Sequence, residues 1–324
     1  MSAVVRRISR SVLACAAAFV VPAAASGQDV QDLASSCVAS GGAAMRCTEL
    51  AVTARALQGH LGLMAGLGSE VSGSASTLGR RLGATPRISF GARAAFASVE
   101  LPDVTDQGGE PSRENGFVLP SVQLGAAAGL FDGFSLAPTV GGFLSLDVVG
   151  HASFLFLPTG EGFDGGTTAF SVGARVGILR ESFTLPGVSV SVTRRGMGGV
   201  RYGDAPGEGG GSVAVDPSVT SLRATVGKDL LSVGVLAGFG WERYGGEASI
   251  QAELDGGLAE ASSSSFEGSR TLWFGGASMN FLILQLSGEL GWATGFDRVP
   301  EYLGAPFDPT SGTLYGSLAF RLTL

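Results

Sequence analysis

The stretch from Leu314 to Leu324, L-Y-G-S-L-A-F-R-L-T-L, alternates without a break. Leu314, Gly316, Leu318, Phe320, Leu322 and Leu324 share one side of an extended chain, with Tyr315, Ser317, Ala319, Arg321 and Thr323 on the other. A period of two over this length is strand geometry with one face in an apolar medium. A chain end of this kind frays unless neighbouring strands hold it. The pattern calls for a sheet, and for something apolar against one of its faces.

The same period governs the chain from residue 86 onward. Ile88, Phe90, Ala92, Ala94 and Phe96 oppose Ser89, Gly91 and Arg93. Val118, Val122, Leu124, Ala126 and Leu130 share a face in the next segment. Leu144, Leu146, Val148, Ala152, Phe154 and Phe156 then oppose Ser145, Asp147, His151 and Ser153. Phe170, Val172, Ala174, Val176 and Ile178 oppose Ser171, Gly173 and Arg175, and Val188, Val190 and Val192 oppose Ser189, Ser191 and Thr193. Four further segments, 217–228, 231–244, 271–280 and 284–295, precede the terminal strand, for about ten strands within a range of 8–12. Short connections near 131–142, 181–187, 228–230 and 281–283 alternate with long ones at 102–116, 158–166, 202–216, 245–269 and 297–312. Strict alternation of this kind suits a barrel with tight turns at one mouth and long loops at the other.

The opposite end predicts export. Arg6, Arg7 and Arg10 precede a short apolar run, Val12 to Val21, and the small residues 23–27. This is signal-peptide architecture with cleavage expected near Gly27–Gln28. Charged residues make up 15% of the chain and glycine 52 of 324 residues, against about 25% charge in soluble domains. Low charge, abundant glycine and no apolar run of 18 residues fit strands that alternate between lipid and lumen. A net charge of −7 argues against a nucleic-acid partner.

The terminal pattern resembles the C-terminal insertion signal of bacterial outer-membrane β-barrels, carried here by Gly316, Leu318, Phe320, Leu322 and Leu324. Those signals usually finish in Phe or Trp where this chain has Leu324. The resemblance, extended over residues 86–324, implies an all-β fold, a closed antiparallel transmembrane barrel. It also implies a place in the bacterial outer membrane, with membrane lipid and the barrel-assembly machinery as partners.

Residues 28–68 read as helical, with Leu50, Ala54, Leu57, Leu61 and Met64 as an apolar stripe and Glu49, Arg55 and Gln58 off it. Residues 66–85 are a connector rich in Gly and Ser. This 28–85 segment is either a plug inside the barrel or a cap beneath it. Cys37 and Cys47, the pair left after signal cleavage, predict one local disulfide.

Candidate site residues lie on the polar strand faces: Arg93, Asp147, His151, Arg175, Arg195, Arg223, Glu289 and Arg321 are expected to line the lumen. They form either a packed Arg–carboxylate network or a basic constriction that selects anions. His151-Ala152-Ser153 resembles the His-x-Ser pair of outer-membrane lipid A deacylases, although the alternation turns both side chains inward. Trp241, Trp273, Trp292, Tyr202 and Tyr244 are expected to form an interfacial belt. No cofactor or metal is expected. The expected role is a narrow pore for small solutes. The alternatives are a non-conducting structural or adhesive barrel and a lipid-modifying enzyme.

Overall fold

The computed structural model describes residues 28–81, 85–105, 114–135, 141–204, 210–254, 257–263, 266–296 and 307–324. The signal-peptide expectation for 1–27 lies outside them. Two helices come first, α1 (Gln28–Ala39) and α2 (Ala44–Met64). The single helical stretch expected over 28–68 is broken at Gly41, whose φ of 103° no helix accommodates. The Cys37–Cys47 disulfide closes this corner. The protein prepared without reductant is expected to titrate no free thiol; two reactive thiols would contradict the bridge.

Ten strands follow: β1 (Ile88–Pro102), β2 (Glu114–Phe131), β3 (Ser145–Leu155), β4 (Thr167–Leu179), β5 (Gly187–Met197), β6 (Gly211–Leu230), β7 (Val233–Leu254), β8 (Gly268–Phe281), β9 (Leu284–Ala293) and β10 (Thr313–Thr323). Each pairs antiparallel with the next. β10 returns to β1, with Phe320 opposite Ala92 and Tyr315 opposite Ala97. The Leu324 amide donates to the Ile88 carbonyl at 2.9 Å. The sheet has no open edge within the barrel, as an apolar surround requires, since an orphan backbone group in lipid costs several kcal/mol. No described helix is long and apolar enough to cross a membrane.

Alternation sets the two surfaces. Phe90, Leu124, Phe170, Val172, Leu290 and Leu318 all project outward, Leu318 with 69% of its surface exposed. Trp273 and Trp292 lie on this outer surface, as a belt requires. Tyr202 and Tyr244 do not: both are buried inside, Tyr202 against Phe163 and Tyr244 bonded to Glu242. The strand of Tyr244 continues ten residues beyond it, to Leu254, so it is not a strand-end residue.

On the inner face each strand changes character along its length. In β1, Ser89 and Arg93 give way to Ala95, Ala97, Val99 and Leu101, all buried. In β6, Arg223 and Ser221 give way to Val219, Val215 and Val213. The lumen has a polar lower storey near the short connections and an apolar upper storey near the long ones. From Glu49 on, α2 fills the upper storey and is buried all round, including Glu49, Arg55 and Gln58. An apolar stripe with a wet back does not describe it, because it has barrel wall on every side.

The segments 202–216 and 245–269 were expected as loops but are largely strand. β6 and β7 run 20 and 22 residues, about twice what crosses a bilayer. Val200–Gly203 flanks β6, and Gly257–Ser263 folds back on β7. Their inner apolar residues Val213, Val215, Ile250 and Ala259 are buried within the same core cluster as the helices. At the other mouth, the β6–β7 and β8–β9 turns carry Leu231 and Leu282 at φ of 58° and 57°, both fully exposed.

Phe320 faces outward on β10, whereas Thr323 is partly covered on the other face. Phe320→Asp is expected to cost about 2–4 kcal/mol near mid-membrane and Thr323→Asp less. Equal losses in denaturant titrations of the two variants would reverse the assigned facing.

Candidate functional site: the lumen and the segment it holds

After α2 the chain descends through the lower storey as a run of turns and bends, and the wall holds it largely by its backbone. Ser153 Oγ and Gln123 Nε2 donate to the Ala65 carbonyl at 2.8 and 3.2 Å. Arg223 donates to the carbonyls of Gly66 and Gly68, and Arg93 to those of Leu67 and Ser69. Glu289 accepts the Ser69 amide at 2.7 Å. Lower down, Gln285 Nε2 donates to the Gly73 carbonyl at 3.0 Å. Arg175 donates to Ser74 and Ser76 carbonyls at 3.1 and 2.7 Å. Asp147 accepts the Leu78 amide at 2.9 Å. At the short-connection mouth the Arg80 amide bonds Asp132 at 2.7 Å. That bond, then Arg180, holds the Asp132 carboxyl below its ordinary pKa against a small burial effect.

The fit is close. Gly68 has φ of +77°, and a Cβ there would lie 2.2 Å from Glu289 Oε2. At Gly66 a Cβ would lie 2.2 Å from Arg195 Nε. The glycine- and serine-rich composition of 66–79 follows from the bore of the lumen.

The wall charges are paired across it. Asp147 sits opposite Arg175 in the β3–β4 register, with a 2.8 Å ion pair. Glu242 takes Arg195 at 2.8 Å, Arg223 at 2.6 Å and the Tyr244 hydroxyl. Glu70, on the threaded segment, lies 3.5 Å from Arg223, 3.7 Å from His151 and 3.8 Å from Arg195. Arg93 and Glu289 approach to 3.9 Å. Arg321 stands apart: its Nε and Nη1 have no hydrogen-bond partner among the described residues. It borders a cavity of about 30 Å³ shared with Glu70, Arg93 and His151, room for a water or two.

Sequence reasoning missed Glu70 and Glu242. Glu70 is the only charged residue in 66–79, which was the available signal. Glu242 keeps the inward phase of Gly238 and Gly240, but it lay near the expected end of its strand. The His-x-Ser pair is not brought together. His151 bonds Ser171 Oγ at 3.1 Å and the Glu70 carbonyl at 2.9 Å, while Ser153 donates to Ala65.

No family model matches the chain, and no curated protein does. Among solved structures, the transport unit of the autotransporter AIDA-I from Escherichia coli is similar at 8% identity. That match covers 84% of this chain and 99% of that one, with a TM-score of 0.42. The Pseudomonas putida toluene transporter TodX matches at 9% identity over 79% of this chain and 96% of its own, TM-score 0.34. Ail of Yersinia pestis matches at 9% over 74% and 99%, TM-score 0.29. At these identities and TM-scores the matches carry no argument, so the fold rests on the closed ten-stranded antiparallel barrel itself and function has to be argued from the lumen.

Proposed function

We propose that the protein is a sealed outer-membrane barrel with a structural or surface-presenting role, not an open pore for small solutes. One observation carries this reading: the wall residues that would line a pore spend their hydrogen bonds on the backbone of residues 65–79. A backbone held in this way leaves with every bond broken, and each buried group then lacks a partner. The outward apolar belt supports a membrane site, and the signal-like N-terminus supports the outer membrane. The terminal strand, with Gly316, Leu318, Phe320, Leu322 and Leu324, is the element the barrel-assembly machinery would read. His151 and Ser153 are both engaged with other groups, which favours a structural part for them. The purified full-length protein in a planar bilayer is expected to show no discrete conductance. Regular single-channel steps would overturn the proposal.

A further inference from the structure

The path of the chain through the barrel has a direction. α1 lies at the mouth with the long connections: Ser40 Oγ donates to the Glu260 carbonyl at 3.0 Å, and the Glu267 amide donates to Asp29 at 2.8 Å. The start of α2 is there too, since Arg46 bonds the Val104 carbonyl in the β1–β2 connection. Residues 78–80 lie at the opposite mouth, against Asp147 and Asp132 beside the short connections. Between these points the chain crosses the whole lumen before β1 begins. Long connections face outward and short turns face the periplasm in barrels of this class. The helices therefore lie on the outer side: α1 at the mouth and α2 as a plug in the upper storey, with neither capping the barrel from beneath.

The lower storey holds the polypeptide largely by its backbone, with Glu70 as the one charged side chain it also grips. Arg93, Arg175, Arg223 and Gln285 donate to carbonyls, and Glu289 and Asp147 accept amides. Every residue carries those backbone groups. What the wall does select is bulk, through the contacts at Gly66 and Gly68 described above. A single strand of chain made of small residues fits this neck, whereas two helices tied by a disulfide are too wide for it. The hairpin Gln28–Met64 is thus a stopper on the outer side of a narrow track.

We infer that the barrel carries its own N-terminal segment across the membrane and holds α1 and the start of α2 at the cell surface. The ligand class of the lumen is then an irregular, small-residue polypeptide segment, supplied by the same chain. The inference deepens the sealed-barrel reading and rests on the occupied lumen that supports it.

Lysine labelling tests the direction, because Lys228 is the chain's only lysine. Met45 is exposed at the start of α2, and Ser135 is exposed in the β2–β3 connection. Met45→Lys and Ser135→Lys, each in the full chain and checked for heat-modifiable mobility, are treated on intact cells with a membrane-impermeant amine reagent. Residue 45 is expected to label on intact cells. Residue 135 is expected to label only after the outer membrane is permeabilised, with at least a tenfold gain. Residue 45 labelling only after permeabilisation, in a variant that keeps its heat-modifiable mobility, would overturn the inference even where conductance is absent. A conducting barrel that labels at residue 45 from outside would defeat the sealed reading and leave this one standing.

Discussion

Glu242→Ala is expected to destabilise the barrel by about 3–5 kcal/mol, the cost of removing one partner from a buried ionic cluster. Glu242 is fully buried and binds Arg195, Arg223 and the Tyr244 hydroxyl together. Without it, two guanidinium groups keep Glu70 as their one nearby carboxylate, at 3.8 and 3.5 Å. The control is Glu267→Ala. Glu267 pairs with Arg243 where both are nearly half exposed, and removing it is expected to cost about 0–1 kcal/mol. Equilibrium unfolding in detergent, read by loss of the compact gel form, measures both. Equal losses would mean that the Glu242 cluster is solvated and the lumen wetter than described.

Deleting residues 28–79 is expected to turn a silent barrel into an anion-preferring channel. The deletion removes the helices and the threaded chain together, and with them Glu70. The buried wall then holds Arg93, Arg175, Arg195, Arg223 and Arg270 against Asp147, Glu242 and Glu289. Adding Arg321, which borders the lower cavity, gives six positive against three negative groups. Rings of excess arginine favour anions at a constriction. In the deleted barrel, Arg175→Glu should weaken or reverse the preference. In the full chain the same change sets a carboxylate beside Asp147 and should lower stability without opening a conductance. A deletion variant that keeps heat-modifiable mobility yet shows no conductance, or prefers cations, would count against this account of the wall.

Much of the barrel was legible because one physical rule, alternate burial, acts locally on every strand. Phe90 outside and Arg93 inside follow from spacing alone, as do Leu318 outside and Ser317 inside. The Cys37–Cys47 bridge was equally local. The strand pairs around Leu231 and Leu282 could be read because their turns are too short to do anything else. What failed depended on an unseen neighbour. The polar positions of α2 pass for a solvated face until the wall around them is known. The Gly-rich stretches near 205 and 256 pass for loop limits, although the flanking strands continue where helices cover their inner side. Glu70 shows the same limit: its charge could be noticed, but its neighbours His151, Arg195 and Arg223 come from β3, β5 and β6.

The leucines at the tips of the two tightest turns set how deep the molecule rides. A left-handed backbone at a residue with a side chain costs about 1–2 kcal/mol, and such turns normally use Asn or Gly. Leu231 and Leu282 accept that cost and also present their whole side chains outward. Water gives no return on either. Lipid does, at roughly 1.5–3 kcal/mol for a buried leucine. The floor of the barrel is therefore level with the inner leaflet, its turns dipping into the headgroup layer like a keel. All the freeboard is on the other side, where β6 and β7 rise above the waterline with the helices between them.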